Sequence, residues 1–462
     1  MILDIIHTII SSGTLKTQIH CIQLDKYVYD NSYIYSADVS KEEYFDQNIL
    51  EQKKFSLLKT LICTDNKLVK NVNHLANTLE TLDCGGECGI DQYGIKKLKV
   101  VKVLKCSDNS DIVGVNHLRN TLEELYCYRM YNRKSGIKQE NIMKLKKLRI
   151  LKCSRNDDIY SVNYLADTLE ELYCEYGGIT QTGMSQLKKL KVFYCGDNKH
   201  INDLNHLADT LVELSCGRNC GIGQDGISQL KKLKILNCSH NTKIHDVNHL
   251  SNSLIKLICN NCGIAQNGVS ELKIKYLDCS MNPHISDIGH LSDTLEELRC
   301  TYSIGQKSIS KLKRLKILYV HSNSDIRDVG HLGDTLETLV CRGSNYISQG
   351  SISKLKKLRI LDCGQNNMIR NLDGQTSSLE YLYCNNRISQ KGISKLEVLK
   401  VLHCRYNKKI ISVMHLSNTL KTILHCEEKC TVFKSELSKL KNIKVIGRYD
   451  DCYRYGYYYD CL

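Results

Sequence analysis

One six-residue segment recurs along the chain so regularly that it excludes most folds: Leu79-Glu-Thr-Leu-Asp-Cys84, Leu148-Arg-Ile-Leu-Lys-Cys153, Leu169-Glu-Glu-Leu-Tyr-Cys174 and Leu233-Lys-Ile-Leu-Asn-Cys238 are four of its copies. The pattern L-x-x-L-x-C puts its last position at 63, 84, 106, 127, 153, 174, 195, 216, 238, 259, 279, 300, 320, 341, 363, 384, 404, 425 and 445. Steps are 20 to 22 residues with one of 26, which gives 19 units. A unit this short cannot bury an apolar face alone, so a core arises only by stacking on neighbours, and 462 residues need not divide into separate globular domains. The period-2 alternation of L-x-C reads as a short strand with Leu and Cys directed inward and the residue between them outward. Nineteen such strands would build one long parallel sheet.

The unit resembles the leucine-rich repeat, L-x-x-L-x-L-x-x-N/C-x-L, with Cys in place of the third Leu; Val320, His425 and Val445 stand there in the three units without Cys. The resemblance implies an α/β class fold: a right-handed α/β or β/3-10 horseshoe solenoid of about 19 repeats. Nine of the ten odd-numbered units carry Asn three residues on, as Asn66, Asn109, Asn156, Asn198, Asn241, Asn282, Asn323, Asn366 and Asn407. In that fold this residue turns inward and its amide bonds the backbone of adjacent turns. Even-numbered units mostly lack it, and several place Cys88, Cys220, Cys262 or Cys430 nearby. The stretches between strands, such as 222–233 and 244–250, are long enough only for single helical or 3-10 turns, so the predicted curvature is gentle.

Charge alternates with the same double period of about 42 residues. The residue after the first Leu is basic in all ten odd units (Lys59, Lys102, Arg149, Lys191, Lys234, Lys275, Lys316, Arg359, Lys400, Lys441) and acidic in six of nine even ones (Glu80, Glu123, Glu170, Glu296, Glu337, Glu380). With strands ~4.8 Å apart, each carboxylate should sit between two cations. Exposed pairs contribute only about 0–1 kcal/mol each, so the ladder is expected to set register more than stability.

Several kinds of chemistry are excluded on spacing. Twenty-four cysteines without a recognisable export signal point to reduced thiols, and stacked strands would line the sulfurs up ~5 Å apart, unlike four thiolates each ~2.3 Å from one zinc. They are read as small hydrophobes, with neither a metal site nor a cofactor expected. His74, His117, His206, His249, His290, His331 and His415 recur two repeats apart, too far to share a metal, so a turn hydrogen bond is the expected role. No G-x-x-x-x-G-K-[ST], G-x-S-x-G or H-E-x-x-H occurs, and no enzymatic activity is expected. The net charge of +14 lies largely in runs such as Lys188-Lys189-Leu190-Lys191 and Lys231-Lys232-Leu233-Lys234, read as a solvated edge and not as a nucleic-acid surface. The start, Met1-Ile-Leu-Asp-Ile-Ile-His7, lacks a signal-peptide pattern, and no apolar run approaches the ~18 residues of a membrane span. The expected location is therefore intracellular and cytoplasmic.

A protein partner is expected on the concave face, where the residues flanking the inward Cys project. Those just before it include Tyr126, Tyr173, Tyr194, Arg299, Tyr319, Tyr383 and His403; those just after include Tyr128, His321, Arg342 and Arg405. Tyr and Arg dominate interface hot spots because each couples a large contact area to a polar group.

Residues 1–50 fall outside the repeat, 51–446 form the solenoid, and the Tyr-rich 447–462 is read as a C-terminal cap over the last strand edge. The first segment is read as a small helical cap. It also resembles an F-box, in Asp4-Ile-Ile-His-Thr-Ile-Ile10 and Gln23-Leu-Asp-Lys-Tyr27, without the Leu-Pro opening of that motif. An F-box-like start followed by such repeats is similar to the F-box/leucine-rich-repeat family, and AT-rich, Cys-bearing repeats look like the versions encoded by giant viruses of amoebae. The resemblance implies a substrate receptor of a cullin-type ubiquitin ligase, in the host cytoplasm if viral. A Skp-type adaptor would be held by Ile5, Ile6, Ile9, Ile10, Leu24 and Tyr27, and the target by the solenoid.

Overall fold

The structure is a computed structural model that describes residues 32–40, 42–130, 135–343, 346–384, 387–404, 407–424 and 443–446. The adaptor-side residues Ile5, Ile6, Ile9, Ile10, Leu24 and Tyr27, the C-terminal segment 447–462 and Arg405 lie outside them. The chain divides into two compact units, Met1–Leu233 and Lys234–Leu462. Each is a leucine-rich-repeat solenoid, with three-residue strands paired in parallel to the strand of the next repeat.

In the first unit the strands run from Ser36–Asp38 through Thr60–Ile62, Thr81–Asp83, Val103–Lys105, Glu124–Tyr126, Ile150–Lys152, Glu171–Tyr173 and Val192–Tyr194 to Glu213–Ser215. In the second they run from Ile235–Asn237 to Lys444–Ile446 by the same step. The central residue of a triplet, Leu61, Leu82 or Leu104 for instance, is fully buried, and the Cys that follows the strand is buried with it. All 19 described cysteines are free and buried, so the sulfurs form an apolar ridge behind the sheet, as the alternation predicts.

Two differences from the sequence pattern concern the ends of the array. The strand Ser36–Asp38 precedes the first L-x-x-L-x-C unit and pairs Ala37 with Leu61; Ile34, Ala37 and Val39 fill the buried positions without any Leu or Cys. At the other end Val445 does not take the Cys position. It pairs with Ile423, a central residue, and Ile443, in place of Lys441, stands level with Lys421. Leu440, Ile443 and Val445 suggest a frame two residues earlier than the one the backbone pairing selects, in which Val445 is the central residue.

Two residues past the ladder position the chain leaves the sheet through a left-handed residue. Twelve of these are not glycine, among them Asp65, Arg155, Tyr176, Met281 and Tyr302. The conformation costs roughly 1–2 kcal/mol for such residues, and its return is one more inter-repeat bond, as from Asp65 N–H to Gly85 O (3.1 Å) or Arg155 N–H to Glu175 O (2.8 Å). On the side away from the strands the repeats carry single turns: α-helical ones such as Gln92–Ile95, Gln181–Met184 and Gln306–Ile309, alternating with 3-10 turns such as Asn73–Leu75, Asn116–Leu118 and Asn205–Leu207.

Buried amides tie these turns together. Asn109 donates to Cys84 O (2.9 Å) and Ile90 O (3.0 Å) and accepts from Asp111 N–H (3.0 Å), the inward Asn role implied by the repeat. A second amide ladder was not anticipated from the sequence. The first Gln of the α-helical turns reaches the following repeat: Gln181 Oε1 accepts from Asn202 and Asp203 N–H (2.9 and 3.0 Å) while its Nε2 donates to Asp203 O (2.8 Å). Gln47, Gln92, Gln306 and Gln349 repeat that clamp, as do Gln139 and Gln266, which open 3-10 turns at the equivalent place.

Candidate functional site

Because the central residue of each strand enters the core, the two residues beside it form the outer face of the sheet, each ~4.8 Å from its counterpart on the next strand. Every Tyr, Arg and His marked by the sequence on described residues, His321 excepted, is half-buried there or at the strand exit; His321 is exposed. In the first unit the spacing assembles a continuous row across five strands. Lys105 Nζ lies 5.3 Å from the Tyr126 ring, Lys152 Nζ lies 5.1 Å from Tyr126 and 4.2 Å from Tyr173, and Tyr173 stacks on Tyr194 at 4.7 Å and 30°. Cations over aromatic faces contribute about 0.5–1 kcal/mol at partly exposed sites, a bias toward the stacked arrangement that adds up along the row.

Carboxylates hold the phenol ends. Tyr126 donates to Glu124 (3.0 Å), Tyr173 to Glu171 (3.2 Å) and Tyr194 to Glu213. Burial first, and then these carboxylates, push the Tyr126 and Tyr173 hydroxyls up to about 12 and Tyr194 higher still. All three remain neutral donors at physiological pH, and the row presents flat rings, ammonium groups and anionic rims together.

The second unit carries a shorter version. Arg299 lies 4.4 Å over Tyr319 and 5.7 Å from Tyr276, donates to Glu297 (2.9 Å), and Lys256 covers Tyr276 at 4.2 Å. Tyr383 and His403 adjoin at 5.3 Å. Tyr128 lines the strand exit, whereas Arg342 is engaged by Asp362 (2.9 Å). Lys105, Lys152, Tyr276, Lys256 and the four Glu partners were missed from the sequence. The signal was available in the residues flanking the central Leu, where Lys, Tyr and Glu recur as Lys105, Lys152, Glu124, Glu171, Glu213, Lys256, Tyr276 and Glu297.

The other candidate groups are structural. Glu80 lies between Lys102 (2.7 Å) and Lys59 (3.8 Å), Glu170 between Lys191 (2.8 Å) and Arg149 (3.1 Å), Glu296 between Lys316 (2.8 Å) and Lys275 (3.2 Å), and Glu380 between Lys400 (2.7 Å) and Arg359 (3.1 Å). Four of the six predicted carboxylates are thus held between two cations, whereas Glu123 and Glu337 form no ion pair among the described residues; in the basic runs, separate from the ladder, Lys188 faces Asp167 and Lys232 faces Asp209, both at 3.9 Å. His117, His331 and His415 use Nε2 to reach the carbonyls of Ile95, Ile309 and Ile393 at 3.0–3.1 Å, the turn bond expected of the series. Thiols outside the ladder meet it at van der Waals range, Cys63 with Cys88 at 3.7 Å and Cys195 with Cys220 at 3.6 Å. Among the described residues no group of three or more His, Cys, Asp or Glu is placed to hold a metal ion, and no helix is long and apolar enough to cross a membrane.

No protein-family model and no curated protein sequence matches the chain. Among solved structures, the functional domain of InlJ from Listeria monocytogenes, which includes a cysteine ladder, is similar at 23% identity over 76% of this chain and 75% of that one, with a TM-score of 0.45. A leucine-rich-repeat protein of Leptospira interrogans is similar at 15% identity over 94% of this chain and 99% of that one, with a TM-score of 0.41. The complex of Rad7 and Elc1 in yeast gives 15% identity, 69% and 85% coverage and a TM-score of 0.37.

Proposed function

We propose that the chain is a non-enzymatic protein–protein interaction scaffold that engages its partner on the outer face of the strands. The observation that carries this reading is the prearranged row from Lys105 to Tyr194, whose rings cations and carboxylates bias toward one arrangement before any partner arrives. Rigid aromatic and basic side chains lose little conformational entropy on binding, which is why they anchor interfaces. The same logic applies to Tyr276, Arg299 and Tyr319. Charge reversal at Arg299 and Arg342 is expected to weaken partner binding at least tenfold, and the same change at the exposed Lys232 and Lys357 is expected to leave it nearly unaltered. Equal losses at both pairs, measured by co-purification from the native cell, would count against this face.

Within that scaffold reading, the F-box-like residues 1–50 support a role as the substrate-recognition subunit of a cullin-type ubiquitin ligase, with a Skp-type adaptor on Ile5, Ile6, Ile9, Ile10, Leu24 and Tyr27. Affinity purification with and without residues 1–50 tests it: a Skp-type adaptor lost on truncation supports the role, and no adaptor in either sample ends it. The alternative is a binding solenoid without a ligase connection. It is favoured by the strand Ser36–Asp38, which shows the end of this segment working as part of the sheet.

A further inference from the structure

The basic runs that precede alternate strands leave positive charge unpaired along one rim of the first unit. Lys97 and Lys99 come before Val103–Lys105, Lys146 and Lys147 before Ile150–Lys152, and Lys188 and Lys189 before Val192–Tyr194; all six are exposed. Lys99, Lys146 and Lys188 occupy the same place in their repeats, each donating its backbone N–H to the repeat before it, at Ala76, Arg119 and Ala166 O. Strands two repeats apart are separated by ~10 Å, so these positions follow one another in a line at about that spacing. Among the described residues only Lys188 of the six forms an ion pair, with Asp167 at 3.9 Å, and both of those side chains are largely exposed. The preceding repeats place Asn77 and Asn120 where Asp167 stands, and so bring no carboxylate to that position.

Two features separate this rim from an ordinary solvated edge. The same unit neutralises its cations elsewhere: Lys102 and Lys191 are held by Glu80 and Glu170, and at the strand exits Lys67 pairs with Glu87, Arg129 with Asp158 and Arg218 with Asp197. The field is also one-sided. The exits carry Asp65, Asp108, Glu175 and Asp197, so unpaired cations gather where the strands begin and carboxylates where they end. Surfaces that serve only solubility intersperse the two signs, whereas segregated charge orients a molecule toward a broad anionic partner.

The chemistry of lysine selects the kind of anion. Its ammonium is a compact, strongly hydrated point charge without the bidentate fork by which arginine reads a phosphate or a base edge. Residues 96–105, 144–150 and 188–192 hold no aromatic side chain on which an unpaired base could stack. A fluid layer of anionic headgroups needs neither feature, because its lipids rearrange under any spacing of cations, and each ammonium near it contributes roughly fivefold in affinity. We propose that this rim of the first unit docks the protein on the surface of an anionic phospholipid membrane, as a peripheral contact. None of the six lysines belongs to the outer-face row, so the two readings stand independently.

The test is sedimentation of the full chain with vesicles of phosphatidylcholine alone and with about 30 mol% phosphatidylserine, at about 0.1 M and about 0.5 M NaCl. Binding is expected only to the anionic vesicles, and it is expected to weaken at least tenfold at the higher salt. The K146E/K147E/K189E variant, with an unchanged melting temperature, is expected to lose at least tenfold, whereas K146R/K147R/K189R keeps its affinity because the charge survives. Anionic vesicles that bind no better than neutral ones, or anionic binding that K146E/K147E/K189E leaves untouched, overturn the proposal. Tighter binding to a ~20-bp DNA duplex than to the anionic vesicles at equal salt also overturns it, and assigns the rim to nucleic acid. Arg299 reversal is expected to leave vesicle binding unchanged; a loss as large as that of the lysine reversal would move the contact to the outer face and end the assignment to the rim.

Discussion

Gly183 shows how little freedom a single position has when repeats stack. A Cβ built there would lie 2.1 Å from Tyr160 O, and Gly226 and Gly268 meet Asn202 O and His245 O at the same distance. Helix propensity alone favours Ala by about 1 kcal/mol, but the backbone of the preceding turn would have to shift to admit the methyl group. Gly183→Ala is therefore expected to destabilise by about 1–3 kcal/mol in urea unfolding, and a gain in stability would contradict the packing described. The turn histidines give a pH signature. Burial disfavours the imidazolium and lowers His74, His117, His206 and His290 below the ordinary value of 6.5, so the unfolded chain binds protons more readily than the folded one. Stability from this source is complete above pH ~6.5 and falls as pH drops toward the folded-state values. The melting temperature should decline between about pH 7 and 5, and His117→Gln, which keeps a donor for Ile95 O, should flatten that slope.

Between the repeats, two amide ladders do similar bonding in different surroundings. Asn156 is fully buried; its loss would orphan Cys127 O, Ile137 O and Asp158 N–H where water cannot replace it. Gln181 clamps Asn202 and Asp203 at an exposed turn, where water can take over. Asn156→Leu is expected to cost about 2–4 kcal/mol and Gln181→Leu no more than about 1 kcal/mol, by chemical denaturation of the two variants side by side. The difference in legibility has the same origin. Asn156 stands at a fixed offset from Cys153, so its role could be read from spacing, and Glu170 between Arg149 and Lys191 followed from alternating charge. Gln181 looks like any polar residue opening a short turn. Ser36–Asp38 is equally silent in the sequence, because Ala37 and Val39 carry the inward positions without the Leu and Cys that mark most of the other rungs.

Across the whole chain one periodicity separates packing from recognition. The repeat length and the alternation within L-x-C assign Leu and Cys to the interior, and this was plain from the sequence alone. The clusters on the opposite face were legible only as residue types. The Lys105–Tyr126–Lys152 contacts draw on three consecutive repeats, so their geometry depends on the inter-strand register. The central claim is that the sulfur ridge is packing and recognition of protein partners lies on the outer face. Mass spectrometry of thiol alkylation tests it most directly, on protein kept reduced, desalted without oxygen and treated with iodoacetamide before and after denaturation. The 19 cysteines found buried are expected to stay unmodified in the native protein and to react fully once it unfolds. Rapid native-state labelling of ladder positions such as Cys106, Cys153 or Cys279, or ladder thiols blocked by bound metal after unfolding in the absence of chelator, would contradict it.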